Sequence, residues 1–313
     1  MTKTIRIDGW GDLQAYLIYP HFAMLDRLVL YPNTKTSTIV WDMEDDRIMG
    51  VLEGHTNMVV ASALHTTGGT AVTIAWMESL PNAVKIWSLE TVKCTANLTS
   101  TSDASISLLK DRLLLGSSDG PIKVWDIGGS APVALMDLHG HINGITTITA
   151  SDASNVALSG SCDMSMRLWD LRSGQCVRTM EEHENEINSV SMDSACRTAV
   201  SGSDDGKAKL WDLGSGRCIN TYEHDDGVQK VMMHESGGSF LLALGEDHFY
   251  AWTTAPGHHV GDEPILHADL SSICTMLKPC PSAPAIAASK DLSRVGMCYV
   301  NADESGLRVC IWK

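Results

Sequence analysis

Two groups of residues near the middle of the chain have the composition of a hydrolytic triad. His141, Ser159 and Asp163 precede Trp169, and His183, Ser201 and Asp205 precede Trp211. A serine hydroxyl activated by an imidazole that a carboxylate orients is a nucleophile suited to acyl transfer. The two groups share one internal spacing, however. Each His stands 28 residues before its Trp, and the second group repeats the first at a period of 42 residues. A nucleophile is not duplicated at a fixed period, whereas a structural network is. These side chains can satisfy one another: a carboxylate in a tight turn accepts from imidazole, the imidazole engages a hydroxyl, and a buried indole N–H needs an acceptor. The expectation is a repeated support, with no catalytic residue in it.

The elements that must hold such a network are short strands. Residues 156–158 and 198–200 are brief apolar runs stopped by Ser-Gly-Ser. A polar turn then leads into the alternating Met166-Arg167-Leu168-Trp169 and Ala208-Lys209-Leu210-Trp211, which makes a hairpin. Residues 176–179 and 187–190 supply further strands, so four strands fill each period. One such unit cannot bury its apolar face alone and must stack on its neighbours.

The repeated Gly-His, Ser-Gly-Ser-x-Asp and Trp-Asp phrases resemble WD40 repeats, each of which builds one blade of a β-propeller. The resemblance implies that His141, Ser159, Asp163 and Trp169 form one hydrogen-bond chain within a blade, and that His183, Ser201, Asp205 and Trp211 form a second. The sialidase motif, which resembles Ser-x-Asp-x-Gly-x-Thr-Trp, is excluded by count, since Asp119, Asp163 and Asp205 each stand six residues before their Trp.

The 313 residues are expected to form a single all-β domain over 1–313, because seven units of about 43 residues consume nearly all of the length. The expected fold is a seven-bladed WD40 propeller of four-stranded antiparallel blades, its ring closed by the N-terminal strand at Thr4 to Ile7. A net charge of -15 argues against nucleic acid as the main partner, because phosphate binding needs clustered Lys and Arg. It points to basic protein partners. Neither a signal region nor an apolar run of membrane-spanning length is visible, so an intracellular protein, cytoplasmic or nuclear, is expected. The nine cysteines include no C-x-x-C pair, and Cys94, Cys176 and Cys218 recur seven residues after a Trp, which reads as small buried hydrophobes in a reducing compartment.

Along the chain the blades are unequal. In the first, Tyr16-Leu17-Ile18, residues 27–30 and residues 38–42 read as strands, with no Gly-His ahead of them. Gly54-His55 opens the second, whose turn at 77–83 is longer than standard. The third carries Asp119 and Trp125 but no matching His, and the sixth opens at His224. For the last blade two registers compete. One places residues 294–297 in the Trp-bearing strand; the favoured one pairs residues 295–300 with 307–312 and leaves 279–293 as an extended loop.

The loops carrying the His and the turn Asp share one face in the family, the top. There residues 181–186, Asp204, Asp205, residues 223–226, Glu246 and Asp247 concentrate negative charge, which attracts partners of opposite sign. The resemblance implies partner contact three and five residues after the His and at the residue before the turn Asp. Those positions are Met58 and Val60; Ser118; Gly144, Thr146 and Cys162; Glu186, Asn188 and Asp204; and Gln229 and Glu246. The function expected is a non-enzymatic scaffold or adaptor, a monomeric propeller within a larger complex. It would bind Lys/Arg-rich segments of other proteins, with no cofactor and no membrane insertion. The alternative is a propeller enzyme using channel-mouth carboxylates and a metal ion, as a hydrolase or lactonase would. His258, His259, Asp262, Glu263 and His267 are ligand-rich by type but lack a standard zinc spacing, so no metal site is assigned.

Overall fold

The computed structural model describes residues 3–8, 23–25, 27–65, 69–76, 82–100, 105–224 and 226–233, and beyond these the strands Ser239–Leu244, His248–Thr253, Leu266–Asp269, Ala285–Ala288, Val295–Val300 and Gly306–Trp312. The fold is all-β, built of four-stranded antiparallel sheets whose strands follow one another in chain order. Sheet 1 comprises Ala23–Leu25, Leu28–Thr34, Ser37–Asp42 and Arg47–Leu52; sheet 2 comprises Val59–Leu64, Thr70–Ala75, Asn82–Ser88 and Lys93–Ser100. Sheet 3 is Ile106–Leu108, Arg112–Gly116, Ile122–Asp126 and Val133–Leu138. Sheet 4 is Ile145–Ser151, Val156–Ser161, Met166–Asp170 and Gln175–Met180, and sheet 5 is Ile187–Met192, Thr198–Ser203, Lys207–Asp212 and Arg217–Glu223. Sheet 6 is Val228–Met233, Ser239–Leu244, His248–Thr253 and Leu266–Asp269. The remaining strands pair in the order Ala285–Ala288, Val295–Val300, Gly306–Trp312 and Lys3–Asp8, with Ile5 opposite Val309. Among the described residues no helix is long and apolar enough to cross a membrane.

The core lies between sheets. Leu114, Ile122, Val124 and Leu138 of sheet 3 pack on Ile145, Ile148, Ala157 and Trp169 of sheet 4. Leu158, Met166, Leu168 and Met180, on the other face of sheet 4, pack on Ile187, Val190, Ala199 and Trp211 of sheet 5. Strand alternation puts residues i and i+1 on opposite faces, so each middle strand needs apolar residues at both parities. That is why residues 157–158 and 199–200 are continuous apolar pairs. The glycine of Ser159-Gly160-Ser161 and its counterpart Gly116, which follows Leu115, are set by the same stacking: a Cβ on Gly160 would lie 2.6 Å from Ile187 Cγ2 of the next sheet, and one on Gly116 2.7 Å from Ile145 Cγ2.

A bulge recurs in the innermost strand of several sheets. The register slips between Val59 and Ala61, Ile145 and Thr147, Ile187 and Ser189, and Val228 and Lys230. The extra residue at each is Val60, Thr146, Asn188 and Gln229, the position five after the His. A bulge re-aims a side chain at the rim of a sheet, so these four are turned by backbone geometry that residue identity alone does not encode.

Three expectations are corrected. The stretch 279–293 is not all loop, because Ala285–Ala288 forms a strand paired with Val295 to Cys298; three alanines and Ile286 make this short apolar strand. The cysteines opposite the tryptophans are not buried. Cys94 is exposed and Cys176 and Cys218 are half-exposed, because they sit on the outermost strand, where their thiols bond the carbonyls of Ala96, Arg178 and Asn220. Sheet 1 takes its first strand from Ala23–Leu25. Tyr16-Leu17-Ile18, Trp10 and residues 77–81 lie outside the described residues.

Candidate functional site

In sheet 4 the Nδ1 of His141 is 2.8 Å from Asp163 Oδ2, its Nε2 is 2.7 Å from Ser159 Oγ, and Trp169 Nε1 donates to the same Oγ at 2.8 Å. Sheet 5 repeats this at 2.7, 2.7 and 2.8 Å with Asp205, His183, Ser201 and Trp211. One directional chain satisfies every group: indole N–H to hydroxyl, hydroxyl O–H to Nε2, and Nδ1–H to carboxylate. It needs a neutral ring and an ionised acid. Burial lowers the His141 and His183 pKa, outweighing the upward pull of the carboxylates. Burial by itself raises Asp163, but hydrogen bonds from Ser165 and His141 bring it down to about 2.

The distances are those of a triad, but access is not. Ser159 and Ser201 have 0% exposure, and each oxygen is enclosed between imidazole and indole. A substrate carbonyl cannot reach it, so the network's work is to tie the innermost loop, the second strand and the third strand of a sheet together.

Sheet 2 contains a version that residue type concealed. His55 Nε2 lies 2.7 Å from Thr73 Oγ1, to which Trp87 Nε1 donates at 2.8 Å. The signal was present in spacing, since Thr73 follows His55 by the same 18 residues that separate Ser159 from His141. Trp87 then follows Thr73 by 14 residues where Trp169 follows Ser159 by 10, the extra length falling in the long turn. In sheet 3 the equivalent position is Leu115, fully buried, and Trp125 Nε1 has no hydrogen-bond partner among the described residues.

Of the residues assigned to partner contact, the structure gathers those of sheets 4 to 6. Cys162 Sγ donates to Glu186 Oε2 at 3.2 Å across the junction of sheets 4 and 5. Burial, together with the Glu186 carboxylate, pushes that thiol up to about 11, so it stays protonated. At the next junction Asp204 Oδ1 accepts from Asn188 Nδ2 and, at 3.0 Å, from Gln229 Nε2. Glu186 and Asp204 are themselves exposed. Both carboxylates are therefore held by neutral donors, and among the described residues neither forms an ion pair. Glu184, by contrast, is paired with Lys207 at 3.2 Å.

The other positions differ. Thr146 Oγ1 donates to the carbonyls of Gly160 and Ile187 and is turned inward. Val60 is 8% exposed and packs in the core between sheets 2 and 3, so sheet 2 closes this position with an apolar side chain. Met58 is half-buried beside it, Ser118 is exposed and Gly144 half-buried. Glu246 lies outside the described residues, as do His258, His259, Asp262 and Glu263. His267 falls in Leu266–Asp269, opposite Tyr250. Among the described residues no group of three His, Cys, Asp or Glu is placed to hold a metal. Ile142 and Met164, which residue type does not mark as surface features, are 88% and 45% exposed.

Comparison with known proteins agrees with the repeat geometry. The family model described as WD domain, G-beta repeat matches residues 133–170 and 174–212. The ribosome biogenesis protein YTM1 of Saccharomyces cerevisiae is 31% identical over 174 residues, covering 50% of this chain and 37% of that protein. Autophagy-related protein 16 of Arabidopsis thaliana is 26% identical over 158 residues, covering 50% and 30%. The CCR4-associated factor 4 homolog of Candida glabrata is 28% identical over 162 residues, covering 45% and 27%. The matched segments thus span well under half of each relative's own length. A chain of the crystal structure of the Mitotic Checkpoint Complex superimposes with a TM-score of 0.79 at 15% identity, over 99% of this chain and 94% of that one, which is a likeness of fold. The two adjacent repeats at 133–170 and 174–212 are thus WD40 repeats by sequence, each built around the same His-Ser-Asp-Trp network.

Proposed function

We propose that the chain acts as a non-catalytic interaction scaffold: one domain over 1–313, a ring of seven blades closed by the N-terminal strand, whose acidic top face holds Lys/Arg-rich segments of partner proteins within a larger assembly. Ring closure is supported by the pairing of Lys3–Asp8 with Gly306–Trp312 and by the nearness of Ala23–Leu25 to Ala285–Ala288. The relatives' names, which speak of ribosome biogenesis and autophagy, support work inside the cell alongside other proteins.

The observation that carries the proposal is the state of Glu186 and Asp204. Both are exposed, and each is positioned by groups that bring no positive charge: the Cys162 thiol for one, the Asn188 and Gln229 amides for the other. A carboxylate held by neutral donors keeps its charge and loses little side-chain freedom when a cation arrives. Glu181 extends the same field, while Glu182 lies 4.0 Å from the Lys209 ammonium. The test is capture from the source cell's lysate with the wild-type chain and with Glu186→Lys, Asp204→Lys and Glu246→Lys combined, both checked for equal thermal stability. Loss of a set of proteins rich in Lys/Arg segments supports the reading; identical capture by both baits overturns it.

A further inference from the structure

One corner of the top face is apolar, and the fold does not require it to be. Ile142 follows His141, and its backbone N–H donates to Asp163 Oδ2 at 3.1 Å. Met164 follows Asp163. The two side chains therefore flank one buried carboxylate and face outward, 88% and 45% exposed. In sheet 5 the equivalent residues are Glu184, whose N–H makes the same contact with Asp205 Oδ2 at 3.0 Å, and Gly206. Sheet 4 thus has Ile and Met where its neighbour has Glu and Gly, on an identical hydrogen-bonded frame.

Met164 is also conformationally costly. Its φ is +65°, in the left-handed region, where sheets 3 and 5 place Gly120 at +106° and Gly206 at +76°. An L side chain there is strained, and this one, 45% exposed, is only partly buried in return. Neither Ile142 nor Met164 joins the apolar clusters between sheets. A strained residue that presents an apolar side chain to solvent points outward to a use rather than inward to stability.

The surroundings say what would cover it. Two residues before Met164, Cys162 reaches across to Glu186, so the apolar corner adjoins that carboxylate. We propose that Ile142 and Met164 form the anchor pocket of the same binding surface, and that the partner segment presents a large apolar side chain (Leu, Ile, Met or Phe) within a few positions of a Lys or Arg. Charge complementarity with Glu186 and Asp204 sets the basic residue; the Ile142 and Met164 side chains set its apolar neighbour. Apolar anchors fix affinity while charges fix encounter and register. This inference rests on the acidic-face reading above, and its test separates the two.

Random dodecapeptides displayed on phage would be panned against the immobilised full-length chain at physiological salt, and the recovered sequences synthesised. The expected peptides carry Lys or Arg beside an apolar residue. Changing that apolar residue to Ser should weaken binding to the wild type by about tenfold or more, and binding to an Ile142→Thr, Met164→Gly double variant by less than about twofold, as a double-mutant cycle requires. Basic peptides indifferent to the apolar residue, or bound equally by the double variant, overturn this inference and leave the acidic face standing. Recovery of no basic peptides overturns both. Concentration-dependent dimerisation of the wild type that the double variant abolishes would mean that a second copy covers the corner, which also overturns the inference.

Discussion

Removing one hydroxyl tests the network most directly. In Ser201→Ala the lost oxygen had served His183 Nε2 at 2.7 Å and Trp211 Nε1 at 2.8 Å, and the site is fully buried. The gap left is smaller than a water molecule, so neither group finds a replacement partner. Each buried polar group left unsatisfied costs about 1–3 kcal/mol. The intact sheet 3, where Trp125 Nε1 is already unpartnered, argues for the lower part of that range at the indole. We expect a total of about 2–4 kcal/mol. With an unfolding entropy near 2.1 cal/mol/K per residue, the 313 residues give about 0.7 kcal/mol per kelvin and a fall in Tm of about 3–6 °C. Scanning calorimetry at one scan rate for wild type and variant reads this. Adding Trp211→Phe removes one of the two orphaned groups, so the double variant should cost about 1 kcal/mol less than the sum of the singles. A Ser201→Ala variant within about 0.5 kcal/mol of wild type, or strict additivity with Trp211→Phe, would refute the reasoning.

Three further outcomes are expected. Burial and the nearby Lys85 ammonium lower His55 from 6.5 to about 4; the unfolded chain therefore takes up this proton first, and stability falls as pH drops from 6.5 towards 4. Asp163, at about 2 rather than 3.8, adds a second loss below pH 3.8, and His55→Gln should shrink the first limb of a Tm against pH series, to which the lowered His141 and His183 also contribute, while leaving the second. Gly160→Ala puts a Cβ 2.6 Å from Ile187 Cγ2 and 2.8 Å from Thr147 Cγ2, and overpacking of this kind costs about 1–3 kcal/mol, measurable as a lowered urea midpoint. Met164→Gly relieves the left-handed strain and should stabilise the fold by about 1 kcal/mol, seen as a raised Tm alongside the loss of the apolar anchor.

The repeat was legible because blade stacking imposes it on residue type. Ser159 and Ser201 recur with His141 and His183 since the same hydroxyl must accept from an indole and donate to an imidazole in each sheet. The glycines of Ser-Gly-Ser recur because the next sheet comes too close for a Cβ. Where one chemistry can be met by two residues the signal weakened, and Thr73 passed unnoticed although its methyl changes nothing in the hydrogen bonds. Where packing replaced hydrogen bonding, as at Leu115, the sheet formed with no network signature at that position.

What the sequence determined by itself was periodicity, strand content and the concentration of acidic residues in one set of loops, since these depend on residue type at fixed intervals. Only the tertiary structure decided which of those residues meet. The bulges at Val60, Thr146, Asn188 and Gln229 arise from register slips between paired strands, and they make one position inward-facing, another buried and two others clamps on Asp204. The pairing of Cys162 with Glu186 spans two sheets. The placing of Ile142 and Met164 on either side of the Asp163 carboxylate, both open to solvent, is likewise an outcome of the fold. Local sequence sets backbone and hydrogen-bonding preferences within a strand or turn, but contact between sheets depends on how separate sheets stack, and that is settled only by the fold.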